Sequence, residues 1–282
     1  MEGLPLSPKI IKKPSLIWIV LSIAALVVCA GLLARQVYEG QRQQELDHHI
    51  TLLARPSQET AAPASPTPAP TPALGTSPAP ETSQDLPPVP QVIDFDALHT
   101  ENEEIISWIQ VDGTRIDYPV LCRPGDDAYY HTHNVEHEKV TAGSIYIQAS
   151  VNSMDWSDFH TVVYGHNMRN GSMFAGLHDF EDGDFFDAHD SVVLYTPTRR
   201  LTYRIFAAYK RDDAHLMRKF DYSTVQGRQV FLDDIFSHAG TFRSAVEVNT
   251  DSRILTLSTC VGGEDNKRYV VQAVLIEDAP VE

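Results

Sequence analysis

Residues 254–275 read ILTLSTC, VGGEDNK, RYVVQAVL, and the fold turns on them. The apolar runs 253–258 and 269–276 have the density of buried strands, and a short polar stretch carrying Gly262-Gly263 separates them. Working outward, 161–164 in TVVYGHNM and 144–148 are further candidate strands. Residues 191–196 and 201–209 flank a turn containing Pro197 and read as a hairpin. Residues 108–111 and 115–121 lie around the Asp112-Gly113 turn. Between 221 and 239, Val225, Phe231, Leu232, Ile235, Phe236 and Ala239 fit helical spacing, with Asp221 or Ser223 as the cap. Asp94 can cap another helix whose apolar residues are Leu98, Ile105, Ile106 and Ile109. Many strands with two or three helices predict an α+β domain built on an antiparallel or mixed barrel.

The rest of the chain is organised differently. It has 282 residues, 43% hydrophobic, three Cys and a formal net charge of −16. There is enough apolar material for a core, too little Cys for a disulfide scaffold, and the wrong charge for binding nucleic acid. LIWIVLSIAALVVCAGLL, residues 16–33, has no charged residue and is long enough for one tilted bilayer crossing. It is too long for an ordinary signal core, and no cleavage site stands out. Lys9, Lys12 and Lys13 before it favour a cytoplasmic N-terminus. Residues 35–55 read as a polar helical stalk. Eleven of the 18 Pro then fall within 56–91, as in PASPTPAPTPALGTSPAP, a composition that favours extended polyproline II and a semi-rigid spacer. The expected divisions are a cytoplasmic N-terminus at 1–15, a transmembrane helix at 16–34, a helical and Pro-rich stalk at 35–92, and one folded domain at 93–282.

Three residues of that domain could share chemistry. Cys260 ends a strand and opens onto glycines, so its thiol can be both fixed and accessible, as a nucleophile requires. A lone Cys is more often a small buried hydrophobe. His166 follows the strand of TVVYGHNM, where it could serve as the acid and base of a Cys–His pair. It is one of 12 His, so alone it says little. Arg268 begins the last apolar strand. Such an Arg is usually a solvated flank, but facing the Cys across paired strands it could bind a carbonyl oxygen or a developing oxyanion. All three stand at strand ends, where a barrel would display a shared site.

TLSTC with an upstream YGHNM and a downstream Arg resembles the sortases, cell-surface cysteine transpeptidases of Gram-positive bacteria. FDALHTENEEIISWIQVDGTRIDYPV (95–120), AYYHTHNVEH (128–137), GSIYI from Gly143 and the helix before the Cys strand are similar to class B. The resemblance covers nearly all of 93–278. It implies a sortase-like eight-stranded β-barrel with a few flanking helices, preceded by the N-terminal transmembrane helix and the Pro-rich stalk. It also implies that Cys260 attacks the peptide bond after Thr in a C-terminal sorting signal, giving a thioester. His166 would protonate the leaving amine and deprotonate the incoming one, and Arg268 would hold the substrate backbone and the oxyanion. Ser258 and Thr259 border the nucleophile, while Tyr130, Asn134, Asn167 and Met168 match positions near the substrate groove. The partners implied are surface proteins bearing sorting signals and an amine on a peptidoglycan precursor or a pilin. The lipid bilayer holds the N-terminal helix, which puts the catalytic domain outside the cell membrane. No cofactor is implied.

His131, His133 and His137 have His-x-His spacing, but with no strong partner at ligand spacing they read as a loop or groove wall, and no metal is expected. Glu181-Asp182-Gly183-Asp184 lacks calcium-loop spacing. Cys122 reads as buried and inert, although a disulfide with Cys260 would disable a nucleophile. The competing readings are pilin polymerisation, with a pilin Lys as the amine; a papain-like hydrolase, disfavoured because there the Cys usually precedes the His; and a non-enzymatic surface-binding domain on a stalk.

Overall fold

The computed structural model describes residues 16–55 and 93–281. The expected cytoplasmic segment 1–15 and the Pro-rich run of 56–92 lie outside these residues. The chain divides into two compact units, Met1–Asp47 and His48–Glu282. Helix α1 spans Leu16–Ala54, contributing to the first unit as far as Asp47 and to the second from His48. Val20, Leu21, Ile23, Leu26, Val27, Val28, Leu32 and Leu33 are all exposed on it. An unburied helix that is apolar on every side suits hydrocarbon rather than water, and α1 is long and apolar enough to cross a membrane.

Among the described residues the second unit contains nine strands: β1 (Ile105–Val111), β2 (Asp117–Leu121), β3 (Ile145–Tyr146), β4 (His160–Tyr164), β5 (Ser191–Tyr195), β6 (Arg199–Asp212), β7 (Gly240–Phe242), β8 (Ile254–Val261) and β9 (Glu264–Pro280). Their order is β5-β1-β2-β3-β4-β8-β9-β6, and β6 pairs back onto β5. Eight strands therefore close a barrel, with β7 attached to β6 outside the ring. The pairs β2–β3 and β4–β8 are parallel. Ile109, Val120, Ile145, Val163, Leu194, Ile205, Leu257 and Val271 fill the interior.

A second apolar layer lies outside the barrel. Helix α5 (Val225–Ser237) packs Phe231, Leu232 and Ile235 against Val162, Phe206, Tyr209, Val270 and Val274. Strands β8 and β9 are thus covered on both faces, which is why their sequences run apolar rather than alternating. Polar groups trapped under α5 form a chain of hydrogen bonds that leaves only His160 Nδ1 of its members without a partner. Tyr209 donates its hydroxyl to Gln272 (3.1 Å), Gln272 donates to Thr256 Oγ1 (2.9 Å), and Thr256 Oγ1 is 2.8 Å from His160 Nε2.

Local details depart from the sequence reading. Asp94 does cap a helix, accepting from Ala97 N at 2.9 Å, but α2 is only Phe95–Glu101. Asn102 turns extended, and its side chain donates to Tyr130 Oη and the Val135 carbonyl. Ile105, Ile106 and Ile109 lie instead in β1, where β2 and β5 satisfy the backbone on both sides. The cap of α5 is Thr224, which accepts from Gly227 N, because Asp221 is occupied with Ser223 N. Val225 and Phe236, read as part of its apolar face, are exposed. Asp182 of the acidic patch caps an unforeseen helix, α3 (Gly183–Ala188), accepting from Asp184 N and Phe185 N, and a single turn, α4 (Leu216–Lys219), precedes α5.

Residues read as the end of the stalk pack within the second unit. Ile50 and Ala54 are buried. Arg55 makes a bidentate pair with Asp117 at 2.6 and 2.7 Å and lies over the Trp108 ring. The Ala54 carbonyl accepts the Asp94 N–H at 2.9 Å, so the chain on either side of 56–92 is held in one place.

Candidate active site

Three adjacent segments, β4, β8 and β9, build the site. In the parallel β4–β8 pair, Tyr164 is in register with Ser258. Two residues further along each chain come His166, just past the end of β4, and Cys260, and both line one cleft. Across the antiparallel β8–β9 pair, Cys260 stands directly opposite Arg268. Gly262 and Gly263 form the tight turn between Val261 and Glu264, with Gly263 at φ 78°. Strand β9 therefore starts four residues before Arg268, and VGGEDNK is a turn plus strand rather than a loop.

Along β8 every residue is buried except Cys260. It shares a face with Thr256 and Ser258, which α5 covers lower down; the cover ends before the thiol. Cys260, His166 and Arg268 line one cleft with His131, Tyr146, Tyr164, Ser258 and Thr259. Its far wall is formed by 211–216, where His215 Nε2 reaches Gln148 Oε1 at 2.8 Å. Burial, then the Cys260 charge, push the Tyr146 hydroxyl up to about 12. Arg268 Nη1 donates to the carbonyls of Lys267 (2.9 Å) and Asp265 (3.3 Å), which holds its guanidinium beside the turn.

His166 is oriented by backbone. Its Nε2 lies 2.8 Å from the carbonyl of His131, which ends the 3-10 turn Tyr129–His131. A carbonyl only accepts, so Nε2 carries the hydrogen, and Nδ1 is the basic nitrogen of the neutral ring. Gly143, at φ 54°, makes this possible: a Cβ there would sit 2.5 Å from the same carbonyl oxygen. The His131 ring tilts against His166 at a centroid distance of 4.4 Å. Burial, then the charges of His166 and Arg268, hold the His131 imidazole below its usual range.

The remaining sequence-nominated residues separate. Ser258 and Thr259 line the cleft. Asn167 does not; it donates to the Cys260 carbonyl at 3.1 Å. Tyr130 is buried, accepting from Asn102 and donating to Glu104. Asn134 is buried and accepts from Glu138 N. Met168 packs against the barrel core. His133 stacks on Tyr129 at 4.0 Å, away from His131, and among the described residues no three His, Cys, Asp or Glu are placed to hold a metal. Cys122 is buried and, like Cys260, free. Sequence reasoning missed the His131 carbonyl and His178; Gly143 was the available signal for the first.

A closed barrel presenting thiol, imidazole and guanidinium in one cleft defines a compact class of protein. This chain belongs to the sortase family, known as cysteine transpeptidases. The family model for the Sortase domain matches residues 109–276, more than half of the chain. The chain is 33% identical to sortase B of Listeria monocytogenes over 181 residues, covering 64% of this chain and 72% of that one. Among solved structures, Clostridium perfringens sortase B superposes with a TM-score of 0.60 at 35% identity, covering 65% of this chain and all of that one. The Staphylococcus aureus sortase B–substrate complex gives 0.59 at 31%, covering 65% and 84%.

Proposed function

We propose that this sortase is a membrane-anchored, class B-like transpeptidase that cleaves a sorting signal after Thr and passes the acyl group to a cell-wall amine. The observation that carries the reading is Cys260: the one exposed residue of β8, opposite Arg268 and in one cleft with His166. In this reading the thiolate attacks the scissile carbonyl carbon, and Arg268 stabilises the oxyanion. His166 gives its Nδ1 proton to the leaving amine as the tetrahedral adduct collapses to the thioester. The neutral ring then takes a proton from the incoming amine, which displaces Cys260. The bound substrate named for the Staphylococcus aureus relative supports a peptide as the first partner. The apolar N-terminal part of α1 supports a single-pass anchor, and Lys9, Lys12 and Lys13 before it support a cytoplasmic N-terminus with the barrel outside. Ser258 and Thr259 carry the substrate contacts in this reading, since Tyr130 and Asn134 are buried and Met168 packs on the core.

The test is turnover of a sorting-peptide library by the full chain, with and without an added amine. Cleavage with amine-dependent transfer is expected, with a bell-shaped pH–rate profile belonging to the coupled Cys–His pair. Cys260→Ala is expected to form no acyl-enzyme. Hydrolysis without transfer, a flat profile under chemistry-limited conditions, or a working alanine variant would each refute the assignment.

A further inference from the structure

The β4–β8 ladder stops one rung short of the nucleophile. Gly165 N donates to the Ser258 carbonyl at 3.2 Å. Carbonyls on one side of a strand recur every second residue, so the next acceptor on that side is Cys260. No β4 amide meets it, because the chain leaves the sheet at Gly165 to aim His166 into the cleft. A missing ladder bond beside a reactive residue leaves its backbone free to shift.

Two side chains occupy that rung. Asn167 Nδ2 donates to the Cys260 carbonyl at 3.1 Å. His178 Nε2 lies 3.0 Å from the same oxygen and 3.0 Å from Asn167 Nδ2. His178 comes from the 3-10 stretch Phe174–Glu181, and its Nδ1 meets Glu181 Oε1 at 2.6 Å. Its ring stacks on Tyr269, the neighbour of Arg268, with centroids 5.0 Å apart. Lys210 Nζ holds the other Glu181 oxygen at 3.7 Å. With Nδ1–H given to Glu181, the Nε2 of a neutral ring can only accept, which leaves it facing the Cys260 oxygen with no hydrogen between them. A ring protonated at both nitrogens donates to the carbonyl instead.

We propose that Asn167 and His178, braced by Glu181, are positioning residues that clamp the Cys260 main chain and so fix the nucleophile. The role rests on the transpeptidase reading above. Neither side chain lines the cleft, so neither acts on the substrate directly.

The test uses the full-length chain in detergent and the variants N167A, H178A and H178Q. One arm is amide hydrogen exchange in a peptide covering 259–264; the other is steady-state cleavage of a sorting peptide. Both alanine variants are expected to exchange faster there and to lose about tenfold or more in kcat, with KM within about twofold, since misplaced reacting atoms cost rate rather than binding. H178Q, whose amide can accept from Asn167 or donate to the Cys260 carbonyl, is expected to recover most of both. Unchanged exchange, faster exchange with unchanged kcat, or a rise in KM alone would overturn the clamp. If the wild-type chain cleaves no peptide, the transpeptidase reading fails, and the exchange arm still decides whether the clamp exists.

Discussion

At the scale of single residues, the two histidines of the β4 segment show how position along one segment sets opposite properties. His160 lies under α5, fully buried, with Nε2 against Thr256. Burial, then the charge of Arg211, push its imidazole down to about 3. In the unfolded chain it titrates near about 6.5. Between those values the unfolded state binds the extra proton, so stability is lost as pH falls from about 6.5 toward 3. His160→Gln should flatten the pH dependence of the urea midpoint between pH of about 6.5 and 4; an unchanged slope would assign the proton uptake elsewhere. His166, six residues on, passes the end of that cover and reaches the cleft. The cysteines divide in the same way. Burial, then Asp127 and Glu104, push the Cys122 thiol up to about 11, whereas Cys260 is exposed.

At the scale of elements, the site depends on chain segments that contribute no side chain to chemistry. The 3-10 turn at Tyr129–His131 supplies a carbonyl, and Gly143 supplies the space for it. Gly143→Ala would force an L residue into left-handed backbone, at about 1–2 kcal/mol, and drive its Cβ against that oxygen. We expect a Tm loss of a few degrees and a larger loss of kcat, because the His131 carbonyl orients His166. Equal losses in Gly143→Ala and a matched core variant would argue that the carbonyl only packs. The apolar runs of β8 and β9 and the cap of α2 were legible in sequence because burial and capping act locally. The end of α2 was not. Ile105, Ile106 and Ile109 suit a helix face or a strand, and only the pairing of β1 with β2 and β5 chose between them.

At the scale of the whole molecule, the folded unit begins earlier than composition suggests. Composition reads 35–92 as one stalk, yet His48–Arg55 belongs with the barrel, with Ile50 and Ala54 buried and Arg55 paired to Asp117. The flanks of the Pro-rich segment, Ala54 and Asp94, are hydrogen-bonded to each other, so its contour length does not separate them. A chain truncated to 93–282 should therefore be less stable than one truncated to 48–282, on the order of 3 kcal/mol, the scale of one buried Ile and one ion pair. Equal urea midpoints would show that the helix end contributes nothing to the barrel.

The sequence by itself determined the anchor-like apolar helix and the barrel class, and it singled out Cys260, His166 and Arg268 as candidates. These are written in local composition, strand-length apolar runs and motif spacing. Only the tertiary structure decided that His166, Cys260 and Arg268 meet. Residues 94 positions apart share a cleft through the β4–β8 register, and residues eight apart oppose each other across a two-glycine turn. It also decided that Tyr130 and Asn134 are buried and that His178 reaches the Cys260 carbonyl. Strand register and ring closure are cooperative properties of the whole sheet, so no single segment encodes them.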